Sequence, residues 1–157
     1  MSGRFVAVGA IGIVCAILFA APLGATTAGK KPIRIDSRTV GIEGGSGNFF
    51  LSMGKGGDLG KVTLTRTFGP DKTAPDGLPY GKVTETDTLK GKHGTLVVRA
   101  VGPTYAMGIG DSEVWEGTWK IASGTGDYSG LTGGGRWFGT ANQTTTLIKR
   151  STGFVQP

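Results

Sequence analysis

Apolar and polar residues alternate along most of this chain with a period of two, and past its first 28 residues no run keeps the spacing of a helix. The clearest run is Lys61-Val62-Thr63-Leu64-Thr65-Arg66-Thr67-Phe68. Val62, Leu64 and Phe68 share one face with Arg66 among them, and the other face is Lys61 and three threonines. The pattern recurs in Trp115-Glu116-Gly117-Thr118-Trp119-Lys120-Ile121, which sets both tryptophans and Ile121 against Glu116, Thr118 and Lys120. Each run predicts a strand with one buried face. Glycine, at 30 residues, punctuates such runs, and reading the turns as boundaries predicts eight strands: 33–42, 47–53, 61–68, 81–89, 94–101, 114–122, 135–142 and 144–154.

Short connections between successive strands imply an antiparallel meander. An all-β chain of eight such strands removes its exposed edges most simply by closing into an up-and-down β-barrel, whose interior holds packed side chains or one small ligand. A two-sheet sandwich is the competing architecture. The one long connection, residues 69–80, carries Pro70, Pro75 and Pro79. It reads as a surface loop, with a lid over the barrel mouth as the alternative.

The start of the chain has a different character. Met1-Ser2-Gly3-Arg4 leads into an apolar stretch from Phe5 to Ala21, broken by Gly9 and Gly12, and small residues follow up to Ala28. This predicts a signal peptide over residues 1–28 and a single barrel domain over residues 29–157, secreted or periplasmic. The alternative is an uncleaved segment that anchors the protein in a membrane. Cleavage discards Cys15, the one cysteine, and with it any disulfide framework, zinc–thiolate site or cysteine nucleophile. The formal net charge is +6, and removing Arg4 leaves +6 − 1 = +5. The lysines are scattered without interleaved aromatics, so weak attraction to anionic envelope surfaces is expected and specific nucleic-acid binding is not. No cofactor is expected.

The segment Gly124-Thr125-Gly126-Asp127-Tyr128-Ser129-Gly130-Leu131-Thr132-Gly133-Gly134-Gly135 resembles the Gly-Thr-Gly-x-aromatic-x-Gly hairpin of the allene oxide cyclase and dirigent barrel superfamily, bacterial secreted members included. Gly47–Leu51 is similar to the opening strand of those bacterial proteins and Leu89–Leu96 to their central hairpin, so the resemblance spans roughly residues 40–142. It implies the barrel fold and, for the enzyme members, a cyclase activity. The plant enzymes' catalytic residues lie outside the matched hairpin, and none is carried over. Physically the glycines suit a turn with several positive-φ residues, with Tyr128 and Leu131 packed beneath it. A dinucleotide-binding loop would lead into a helix, whereas Gly135-Arg136-Trp137-Phe138 continues as a strand.

Three constellations carry candidate chemistry. His93, the one histidine, sits in a tight turn between Lys92 and Gly94 with no partner carboxylate nearby in sequence, and reads as solvated. In Val83-Thr84-Glu85-Thr86-Asp87-Thr88-Leu89 both carboxylates share a face with Val83 and Leu89. If that face is internal they need cations, for which Arg66, Arg99 and Arg136 are candidates. The external or rim position is favoured, with at least Asp87 reached by solvent. Finally, Tyr105, Trp115, Trp119, Trp137 and Phe138 either fill the core or line an aromatic pocket for an apolar ligand. The leading expectation is a non-catalytic barrel that binds a small apolar or amphipathic molecule through Arg66, Glu85, Arg99, Tyr105, Trp115, Trp119 and Trp137. A cyclase- or isomerase-like enzyme and a solid structural barrel of the envelope are the alternatives.

Overall fold

The computed structural model describes residues 29–41, 44–70, 72–73, 79–107, 112–142 and 146–157, and the backbone alone at residues 79–80, 105–107, 112 and 142. The expected signal segment lies outside the described residues, as does most of the 69–80 loop. The strands are β1 (Lys31–Val40), β2 (Gly44–Met53), β3 (Gly56–Phe68), β4 (Lys72–Thr73), β5 (Pro79–Gly91), β6 (Gly94–Met107), β7 (Ser112–Gly124), β8 (Thr132–Asn142) and β9 (Thr146–Gln156). One turn of 3₁₀ helix, Gly126–Tyr128, joins β7 to β8.

Every long strand pairs antiparallel with its neighbours in the order β3-β2-β1-β9-β8-β7-β6-β5, and β3 pairs with β5 to close the ring. This is the expected eight-stranded barrel, and it replaces the sandwich. β1 and β9 have the expected lengths, each displaced by two residues, and the other six long strands are longer than the turn signals suggested, most of all β6, which runs through Gly102-Pro103. Pro103 has no N–H to donate, and the ladder to β7 is interrupted between Val101↔Thr118 and Thr104↔Trp115. β4 was not expected. It is a two-residue strand on β5 at Pro79 and Tyr80, prolonging the line of β3 beyond Phe68.

Alternation assigns the faces. Ile33, Ile35, Phe49, Leu51, Val62, Leu64, Val83, Leu89, Leu96, Val98, Leu147 and Val155 point inward with Trp115, Trp119 and Trp137. At about 25 cal/mol per Å² this burial is the principal force holding a domain without disulfides. Among the described residues no helix is long and apolar enough to cross a membrane.

Turns after β2, β5 and β7 gather at one end of the barrel, the closed end. Asp58 on β3 organises it: its carboxylate accepts from the backbone N–H of Leu59 (2.8 Å), Lys92 (2.9 Å) and His93 (3.1 Å) and from the Tyr128 hydroxyl (2.8 Å). Burial pushes its pKa upward, but these four donors outweigh that and hold it below the usual aspartate value. The β7–β8 connection is thereby fastened to the β5–β6 turn. Gly126 lies in the left-handed region (φ +60°), and a Cβ there would meet the His93 carbonyl oxygen at 2.4 Å, whereas Gly130 (φ +75°) faces open space. Gly126→Ala is therefore expected to destabilise by about 2 kcal/mol and Gly130→Ala by about 1 kcal/mol, read as shifts in denaturant midpoint at constant slope.

Candidate functional site

The opposite end, where the chain leaves β1, β3, β6 and β8, is termed the mouth. Below it four charged side chains lie inside. Arg66 and Glu85 face each other directly in the β3–β5 register, and the Arg66 Nε donates to Glu85 Oε2 at 2.5 Å. Lys149 reaches across the interior from β9, on the far side of the ring, and its Nζ donates to both Glu85 and Asp87. Glu85 is 1% exposed and Asp87 5%. This corrects the expectation of an outer or rim position for the two carboxylates. The alternation that put them beside Val83 and Leu89 holds, and that face is the inner one.

The cations also differ from those expected. Arg66 is in place, but Arg99 and Arg136 are exposed on the outer wall, because Val98, Ala100 and Trp137 take the inward positions beside them. The second cation is Lys149, which the sequence reading did not single out. Two tryptophans wall the cluster. The Arg66 guanidinium lies 4.7 Å from the Trp115 ring centroid and Lys149 Nζ 5.6 Å from that of Trp137, both within cation–π range. Phe68 packs edge-on against Trp115 at 5.6 Å and 81°. Arg66 Nη1 also donates to the carbonyl of Gly41 (3.1 Å), tying the cluster to the mouth where β1 ends.

Of the other residues expected in a pocket, Trp119 lies inside but belongs to the wall: its Nε1 donates to the carbonyls of Arg136 and Thr152, both at 3.1 Å. Tyr105 is on β6 opposite Val114, and its side chain lies outside the described residues. Phe138 points outward and is 51% exposed, so it lines no interior pocket.

Of the two carboxyls, Arg66 bonds to Glu85 while Lys149 is shared by both, so the two acids are held unequally. Burial would raise the Glu85 pKa, yet Lys149 and Arg66 together bring it down to about 2. Burial raises Asp87 as well. Lys149 opposes this, the negative Glu85 adds to it, and the result is about 7. Glu85 is thus ionised at neutral pH, and Asp87 is the carboxyl that takes up a proton as the pH falls through about 7. Burial alone would lower the Lys149 pKa, but Asp87 and Glu85 raise it above the ordinary lysine value, so it stays charged. Asp87 Oδ1 and Thr39 Oγ1 are buried and have no hydrogen-bond partner among the described residues. Nearly all buried polar atoms in folded proteins are satisfied, so orphans of this kind mark where a further polar group belongs.

At the closed end His93 is not the isolated histidine expected. Its Nδ1 lies 2.9 Å from Asp127 Oδ2, a partner 34 residues away that the 3₁₀ turn delivers. The pair borders a small cavity of about 140 Å³ with Leu51, Met53 and Tyr128. Both side chains are well solvated. No group of three histidine, aspartate or glutamate side chains is placed to hold a metal ion among the described residues. The buried cluster is therefore the candidate site. In comparisons with known proteins, no family model, no curated protein and no solved structure matches the chain.

Proposed function

We propose that this protein is an exported barrel, kin to the allene oxide cyclase and dirigent superfamily, that binds a small amphipathic molecule at its mouth without reacting it. The observation that carries this reading is the buried quartet of Arg66, Glu85, Asp87 and Lys149, with the unpartnered Asp87 Oδ1 and Thr39 Oγ1. Burying four ionisable side chains costs more than an apolar core of the same volume, so such a cluster points to a use beyond stability. In this reading the ligand's apolar body lies on Phe68, which packs over the fully buried Trp115, and a hydrogen-bond donor on its polar end reaches Asp87.

A specific observation favours the enzyme as second reading. Two adjacent carboxyls with pKa values pushed to about 2 and about 7 are the arrangement in which one serves as carboxylate and the other as general acid. Export rests on the Phe5–Ala21 apolar run and the small residues that end at Ala28.

Native mass spectrometry of protein purified from its own host tests both parts. The expected spectrum shows a chain beginning at Gly29 with a small molecule bound, and loss of that molecule in Trp115→Ala. An uncleaved chain would remove export. A cleaved chain with no adduct would replace the binder with a solid barrel.

A further inference from the structure

The outer wall opposite β5 carries a feature that the mouth does not explain. Along β1, β9 and β8 run three adjoining hollows of about 380, 590 and 360 Å³. The first two share Arg136 and Thr152, and the last two share Gly134 and Phe154, so they form one furrow. Gly134 and Gly135 on β8 and Gly153 on β9 line its floor, where strand backbones lie close together: a Cβ on Gly134 would meet the Trp119 carbonyl oxygen at 2.3 Å. From Ile148 to Gln156 it follows β9 for about 26 Å, at roughly 3.3 Å per residue.

The furrow is bordered by exposed apolar side chains: Phe138 at 51%, Ile148 at 58% and Phe154 at 58%. Four arginines, Arg34, Arg38, Arg136 and Arg150, stand on the same three strands against one acid there, Asp36, with Glu116 alongside on β7. Asp36 is already shared by Arg34 and Arg150, each at 2.6 Å, and Arg136 is held by Glu116 only at 3.8 Å. Cationic capacity is left over, and a second copy of the chain brought face to face would meet the same surplus.

We propose that this furrow binds a linear acidic glycan, its carboxylate or sulfate groups on Arg136 and Arg150 and its pyranose faces on Phe138 and Phe154. The length and the charge both call for an extended anionic partner. An acidic peptide is the weaker fit. A peptide strand gains its affinity by pairing with an open sheet edge, and here β1, β9 and β8 are paired on both sides. Sugar hydroxyls need no such edge and find the hydroxyls of Thr140 and Thr152 beside the arginines.

Calorimetric titration at low salt distinguishes the occupants, using hexagalacturonate, a sulfated heparin hexasaccharide, neutral maltohexaose and hexaglutamate. At least one acidic hexasaccharide is expected to bind about tenfold or more tighter than hexaglutamate, with maltohexaose silent. Arg136→Ala, Arg150→Ala and Phe138→Ala are each expected to weaken that binding about fivefold or more. Lys82→Ala and Lys90→Ala, on the opposite wall, should leave it unchanged. Equal binding of hexaglutamate, silence of both acidic sugars, or indifference to the furrow variants would each overturn the proposal.

Discussion

Replacing Lys149 by methionine is expected to lower the stability of the barrel by about 3–5 kcal/mol at pH 7, the range for removing one partner from a buried charge network. The ammonium serves both Glu85 and Asp87, and it is fully buried beneath Trp137. Methionine keeps much of the volume, so the loss reports electrostatics more than a cavity. A second substitution separates the two. Lys149→Met combined with Asp87→Leu removes the second ion pair as a unit and leaves Arg66 bonded to Glu85, and it is expected to recover most of the loss. Chemical denaturation of the single and double variants gives both values. A Lys149→Met protein as stable as the parent would mean that the lysine is not inside.

The second large effect concerns pH, and its direction is unusual for a protein rich in carboxylate contacts. Glu85 has a folded pKa depressed from 4.5 to about 2, so its contribution is present above pH 4.5 and is lost as the pH falls through 2. Asp87 runs the other way. Its folded pKa is raised from 3.8 to about 7, so the folded state holds the proton more tightly and stability declines as pH rises from about 4 to 7. The two together place maximum stability near pH 4–5, with a fall of a few kcal/mol by pH 7 and a plateau above. Asp36 and Asp58 are both depressed and add to the loss on the acid side. Thermal or urea unfolding from pH 3 to 8 shows the profile, and Asp87→Asn is expected to abolish the decline between 4 and 7. A parent that grows steadily more stable up to pH 7 would contradict the assignment of the proton to Asp87.

The strands were legible because inward residues such as Val62, Leu64, Trp115 and Trp119 alternate cleanly with threonine and lysine. Closure was legible because eight such strands with mostly short turns cover their edges most simply by joining into a ring, with the two-sheet sandwich as the competitor. The same alternation correctly put Glu85 and Asp87 on the face of Val83 and Leu89. The error lay in weighting the cost of buried carboxylates above the pattern, when that cost is met by a cation from the opposite wall.

Lys149 itself was hard to see. On β9 the inward series Leu147, Lys149, Ser151, Val155 is no more apolar than the outward series Ile148, Arg150, Thr152, Phe154, so hydrophobicity does not orient the strand. Its partners are 64 and 62 residues away in sequence. Arg99 and Arg136 could have been set aside, since Val98, Ala100 and Trp137 claim the inner positions next to them. His93 and Asp127 meet only because the Asp58 clasp brings two turns together, a contact no local pattern encodes. The furrow escaped because its lining is drawn from β1, β8 and β9, which no local motif brings together.

The most direct test of the buried quartet is a side-chain carboxyl titration by carbon-detected nuclear magnetic resonance. Asp87 is expected to titrate near pH 7 while Glu85 stays ionised down to about pH 2, and Lys149→Met should displace both. Midpoints for both carboxyls in the ordinary range of about 4 would place them in solvent and contradict the account.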